Sequence, residues 1–210
     1  MAQIATILSL LMILTLVRAE RPVIHRQSRA RAFIQSQCQT TLYPDLCIRS
    51  LSYYAVNFTT TLSHRKLAQF AVKVSLAKAE STRAYITGVA NHLNQTKDKG
   101  YLSVRECLDR INDGVDLLTN CIKEAQKIKE DGGNNNDFPW RASNIQTWMS
   151  SALTDVSVCV DGFSGRALGG KTKAMIKAKV LNLQQLTSIA LALFNRFAAR
   201  YRSTHVVIKP

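Results

Sequence analysis

The sequence predicts an all-α protein: an antiparallel up-down-up-down four-helix bundle preceded by a small helical hairpin. Three observations carry that prediction. Four long segments repeat apolar residues at three- and four-residue intervals, the period of a helix buried along one side. Runs rich in Gly or Asn separate them and leave short connections, which suit antiparallel neighbours. Five cysteines lie behind an apolar N-terminal run, the sign of an exported domain held by disulfides.

The apolar run, Ile4 to Val17, is shorter than the roughly 20 residues a membrane span needs, and it ends in Val17-Arg18-Ala19, with small residues at a suitable cleavage point. Residues 1–19 therefore read as a secretion signal, with no stable membrane insertion. Residues 20–32 carry Arg21, Arg26, Arg29 and Arg31 against Glu20 and almost no periodicity, the pattern of a flexible basic tail. One domain is expected over 33–202, made of a hairpin at 33–57 and a bundle at 63–202. In the hairpin, Tyr43-Pro44 breaks two short helices and brings Cys38 and Cys47 within disulfide reach.

Each bundle segment has its own signals. The first, Ser63 to about Asn94, is Pro-free and places Leu67, Phe70, Ala71, Val74, Ala77, Ala84 and Gly88 at helical spacing, with Ser63 as its N-cap. The second, about Tyr101 to Glu130, carries Leu108, Ile111, Val115, Leu118, Ile122 and Ala125 as its seam. Gly132, Gly133 and the Asn134-Asn135-Asn136 run end it. The third starts near Pro139, a favoured first helical residue, and continues through Ile145, Trp148, Met149, Ala152, Leu153, Val156 and Val160. The fourth, Thr172 to about Tyr201, lines up Ile176, Val180, Leu183, Thr187, Ala190, Phe194 and Phe197, and the chain is expected to fray from Ser203.

The formal charge is +14 and falls to +13 when Arg18 leaves with the signal. Such a surplus attracts polyanions. With export expected and no nucleic-acid-binding motif present, an acidic cell-surface or cell-wall polysaccharide fits better than nucleic acid. Sequons at Asn57 and Asn94 suit glycosylation during export. Catalytic and metal chemistry find no support: His25, His64, His92 and His205 lack ligand spacing, and no Cys-x-x-Cys occurs. Gly162-Phe163-Ser164-Gly165 has Arg166 where a nucleophile elbow needs Gly. The expectation is a non-enzyme without cofactor or metal.

Five cysteines allow many pairings, and helix geometry only narrows them. Cys107 falls near the start of the second bundle segment and Cys159 near the end of the third, ends that antiparallel packing brings together. Cys121 falls on the buried side of the second segment, where a free thiol behaves as a small apolar residue.

Two stretches, Thr41-Leu42-Tyr43-Pro44-Asp45-Leu46-Cys47 after Cys38, and Thr147-Trp148-Met149-Ser150-Ser151-Ala152-Leu153-Thr154 leading to Cys159-Val160-Asp161-Gly162-Phe163, resemble the plant invertase and pectin methylesterase inhibitor family. The resemblance covers about 33–198. It implies a bundle with a hairpin arm, pairing of Cys38 with Cys47 and of Cys107 with Cys159, and an unpaired Cys121. It further implies secretion to the cell wall, or apoplast, and one-to-one binding over an enzyme's active-site cleft, by a protein that is a monomer until the complex forms. The Pro-Lys-Phe element of the invertase inhibitors has no counterpart in Asp137-Phe138-Pro139-Trp140-Arg141, whereas Ser143 to Trp148 looks like the methylesterase inhibitors. Pectin methylesterase is therefore the expected target. An invertase target is the alternative, and a cationic wall-binding protein with no enzyme target is the second.

Asp109, Asp113 and Asp116 share one face of the second segment, away from its seam. Like charges at that spacing cost a few tenths of a kcal/mol on an isolated helix, so a cationic partner accounts for them better than helix stability does. The resemblance places these three residues, and Asp161, at acidic contact positions. Where the family often has Thr before the fourth cysteine, this chain has Val158, which lacks the hydroxyl.

Overall fold

A computed structural model of the chain describes residues 28–53, 63–128, 137–163 and 168–206. Residues 1–27, which hold the expected secretion signal and most of the expected basic tail, lie outside the described residues, as does Asn57. The described elements are helices α1 (28–38), α2 (Pro44–Ser52), α3 (His64–Gln95), α4 (Tyr101–Gln126), α5 (Phe138–Asp161) and α6 (Gly170–Val206). In the bundle, α3 packs on α4 and α6, and α5 packs on α4 and α6, so each helix has two principal neighbours around a square. The short link between α3 and α4 turns the chain back through a Schellman motif. There, Lys97, at φ 51°, donates its amide to Asn94 O and Asp98 donates to Leu93 O. Asp98 then accepts the Gly100 amide on its side chain at 2.7 Å, which opens α4.

Element ends differ from the sequence reading. Residues 28–32, assigned to the basic tail, belong to α1, because Ala30 and Ile34 are both fully buried and lie four positions apart on one helical face. Helix α2 ends at Ser52, with residues 54–57 of the expected hairpin outside the described residues, and α6 continues to Val206 past the expected fraying at Ser203. The hairpin docks on one end of the bundle. Leu51 and both cysteines are buried, the Phe33 ring meets His64 edge-on at 5.1 Å, and Arg196 donates to Gln37 O at 2.9 Å.

Two buried faces also differ. On α3, Ala77, Ala84 and Gly88 are exposed; the core face is Leu67, Ala71, Ser75, Ala79, Thr82, Ile86, Ala90 and Leu93. Apolarity misplaced it because two of its members carry hydroxyls. Thr187 donates its hydroxyl to Leu183 O at 2.9 Å, so the 2.7 Å bond between Ser75 and Thr187 has Ser75 as donor. That bond satisfies a polar pair at the centre of the α3–α6 contact. On α4, Leu108 and Ile122 lie at the flank, while Val104, Cys107, Ile111, Val115, Leu118, Cys121 and Ala125 are buried. The face expected for α6 is buried throughout.

Disulfides join Cys38 to Cys47, with Cα atoms 5.5 Å apart, and Cys107 to Cys159 at 4.5 Å. Cys121 is free and fully buried, and its Sγ lies 3.6 Å from Ile145 O. Burial pushes its thiol up to about 12, which keeps it protonated and unreactive.

Candidate functional site

The surface that gathers the acidic residues is the outer side of the α4–α5 pair. Its register is set at both ends: Cys107 is bonded to Cys159, and Glu124 meets Arg141. Antiparallel packing at this register puts Asp109 level with Ser157, the residue before Val158, and Asp116 level with Ser150. Asp109, Asp113 and Asp116 all face solvent on α4. On α5, Val158 is 42% exposed and Asp161 is exposed. Asp161 sits in the last turn of α5, which holds no basic residue and where the helix dipole disfavours an anion.

Between the two exposed lines lies a group that sequence reasoning did not single out. Asp155 is partly buried on the α4 side of α5, 3.6 Å from Arg110. Burial first, and then the neighbouring Asp113 charge, push its carboxyl above the ordinary value, and Arg110 offsets part of that rise. A shallow polar groove runs beside it, lined by Ser143, Gln146, Thr147, Ser150, Ser151 and Thr154. The signal for this line was present in the sequence: Ser143, Thr147, Ser150, Thr154, Val158 and Asp161 recur at intervals of three and four, one continuous exposed stripe. Val158 is its apolar interruption.

The other omission is Glu124, a buried carboxylate near the end of α4. Its two oxygens accept hydrogen bonds from Arg141 Nη1 at 2.6 Å and Lys127 Nζ at 2.8 Å, and Arg141 reaches Asp137 at 3.3 Å. The Lys127 bond holds the Glu124 carboxyl below the ordinary carboxylate value; burial opposes this and the Arg141 bond adds to it. This cluster ties the end of α4 to the start of α5. Phe138 anchors the same end to α6 by stacking on Tyr201 at 3.7 Å and meeting Phe197 edge-on at 5.7 Å.

Among the described residues, no group of three His, Cys, Asp or Glu side chains could hold a metal ion, and no helix is long and apolar enough to cross a membrane. Asn94 is exposed in the last turn of α3. The α4–α5 pair thus presents carboxylates, hydroxyls and exposed apolar area on one two-helix face.

A family model for plant invertase/pectin methylesterase inhibitors matches residues 32–193, which takes in most of the arm and the bundle and all five cysteines. The chain belongs to that family. It is 39% identical over 193 residues to pectinesterase inhibitor 9 of Arabidopsis thaliana, covering 92% of this chain and 93% of the relative. It is 36% identical to the 21 kDa protein of Daucus carota, covering 82% and 87%. Its fold is similar to the crystal structure of a pectin methylesterase inhibitor from Arabidopsis thaliana, with a TM-score of 0.52 at 16% identity, over 78% of this chain and 95% of that one. A mutant form of such an inhibitor matches at a TM-score of 0.55 and 18% identity, over 75% and 92%. As a member of an inhibitor family, the protein is a non-catalytic inhibitor.

Proposed function

We propose that the protein is an exported inhibitor of pectin methylesterase that acts in the cell wall, forming a one-to-one complex and covering the enzyme's cleft with its α4–α5 face. The observation that carries the target is the family match over nearly the whole bundle, together with the likeness to pectinesterase inhibitors along almost the full chain. Export is supported by the apolar run and its cleavage point, Val17-Arg18-Ala19. Inhibition then needs no chemistry from the inhibitor, only a rigid surface that excludes substrate.

The face supports that role in three ways. Asp109, Asp113, Asp116 and Asp161 stand ready for cationic groups beside a cleft, the hydroxyl stripe supplies adaptable hydrogen bonds, and Val158 contributes exposed apolar area. The Cys107–Cys159 bridge fixes the end where Asp109, Val158 and Asp161 lie. Replacing a carboxylate that is desolvated against Lys or Arg costs about 1–3 kcal/mol, and much less at a rim. The test is inhibition of a panel of pectin methylesterases by an Asp113→Asn/Asp116→Asn variant that keeps the parent's thermal stability. A weakening of tenfold or more supports the assignment; undiminished inhibition means that these acids are only a solvated face.

A further inference from the structure

The bundle is electrically two-sided, and the side opposite the acids is not used by the proposed inhibition. Helix α6 carries four Lys and three Arg and not one Asp or Glu. Helix α3 carries Arg65, Lys66, Lys73, Lys78 and Arg83 against Glu80 alone. On α4 and α5 the balance reverses, with seven carboxylates against four cationic side chains. Because α3 packs on α6 and α4 on α5, the segregation becomes two faces: one strongly cationic, the other anionic.

One group of cations lies where the middle of α3 meets the N-terminal half of α6. Lys179 lies over the Tyr85 ring, its Nζ 4.6 Å from the centroid. Lys78 feels first its own partial burial and then the Lys179 charge, and both pull its ammonium below the ordinary value. Lys171 and Lys173 add positive charge in the first turn of α6, where the helix dipole already disfavours it. Helix stability does not account for such crowding; a polyanion lying along the face does, because it relieves the repulsion among the lysines.

We propose that the α3–α6 face binds de-esterified pectin, a carboxylate polymer, so that the protein holds the polymer on one side while the α4–α5 face engages the enzyme. The choice of this polyanion rests on the proposed target, since hydrolysis of pectin methyl esters leaves carboxylates where that enzyme works. The attraction needs no ordered pocket: several lysines near a line of carboxylates suffice, and it weakens as the screening length falls from about 10 Å at 0.1 M salt to about 3 Å at 1 M.

The experiment compares binding to de-esterified and to fully methyl-esterified oligogalacturonides at low and high salt, for the full mature chain and two double variants. Lys78→Gln/Lys179→Gln removes two neighbouring charges from the proposed face; Arg105→Gln/Lys123→Gln removes two from α4. At a few tenths to 1 kcal/mol per exposed pair, the first variant should bind the de-esterified chain roughly 2- to 30-fold more weakly, and the second far less so. The parent should bind the esterified chain weakly, and high salt should abolish binding to the acidic one. Equal losses in both variants, or equal binding to both polymers, overturn the proposal. Inhibition of the methylesterase is measured on the same samples. Its absence in the parent would count against the target reading, whereas its retention in Lys78→Gln/Lys179→Gln alongside lost polymer binding separates the two faces.

Discussion

Glu124→Gln is the most informative single change to the scaffold, because it keeps shape and removes one buried charge. The carboxylate side chain is 7% exposed and accepts from Arg141 at 2.6 Å and Lys127 at 2.8 Å. Lys127 makes the largest contribution to the carboxyl's lowered pKa, yet its side chain is 57% exposed, so water screens much of its effect on stability. Arg141 is 23% exposed, and its bond is the stronger determinant. Charge-assisted bonds contribute about 1.5–3 kcal/mol, and the glutamine oxygen retains part of the Arg141 bond, so the variant should lose about 1–3 kcal/mol. For a chain of this size that corresponds to a fall in Tm of roughly 2–12 °C at pH 7. A pKa depressed by folding stabilises above the unfolded value and ceases to do so as pH falls through the folded one. The difference between parent and variant should therefore be full at neutral pH and shrink below about 4.5, the ordinary value for Glu. Thermal unfolding of parent, Glu124→Gln, Arg141→Gln and the double variant across pH 3–7 (about that range suffices) gives both the coupling and its titration. Additive losses, or a difference that persists unchanged to the lowest pH, would refute the reasoning.

In the chain-entropy picture, removing Cys107–Cys159, which spans 52 positions, should cost about 4 kcal/mol, and removing Cys38–Cys47, which spans 9, about 2–3; denaturant unfolding of the two double-Ser variants checks the order. Thr187→Val should cost about 1–2 kcal/mol because it leaves the buried Ser75 hydroxyl without its acceptor, and adding Ser75→Ala should recover part of that loss in the same assay. Val158→Thr should leave stability within about 0.5 kcal/mol, since the position is exposed, and should tighten the enzyme complex by about 0.5–1.5 kcal/mol when an unpaired group faces it; a titration of inhibition reads the change.

The core of the fold was legible wherever one apolar stripe dominates a helix. On α6 every residue of the stripe read from Ile176 to Phe197 is buried, and Leu186, Ile189 and Leu193 beside it widen the buried face. On α3 it was not, because alanines occur on both sides and the true face runs through Ser75 and Thr82; only a partner helix, supplying Thr187, makes a buried hydroxyl such as Ser75 acceptable. The start of α1 was hidden for a related reason: its arginines read as a tail until Ala30 and Ile34 are seen to pack. At the candidate site, the three aspartates of α4 could be grouped from their spacing alone, since one helix determines their common face. Asp155 and Arg110 could not, because their pairing depends on how α4 and α5 are set against each other. Glu124 and Arg141 are separated by 17 positions, across a connection whose geometry no local pattern encodes.

The central claim is the identity of the target, and stoichiometric titration tests it most directly. Mature protein, expressed with its two disulfides, is added in increasing amounts to a purified plant pectin methylesterase and, separately, to a purified cell-wall invertase, and residual activity is measured against the molar ratio. The account predicts that methylesterase activity falls linearly to a break at one inhibitor per enzyme while invertase is unaffected. Inhibition of invertase with methylesterase left fully active would contradict it.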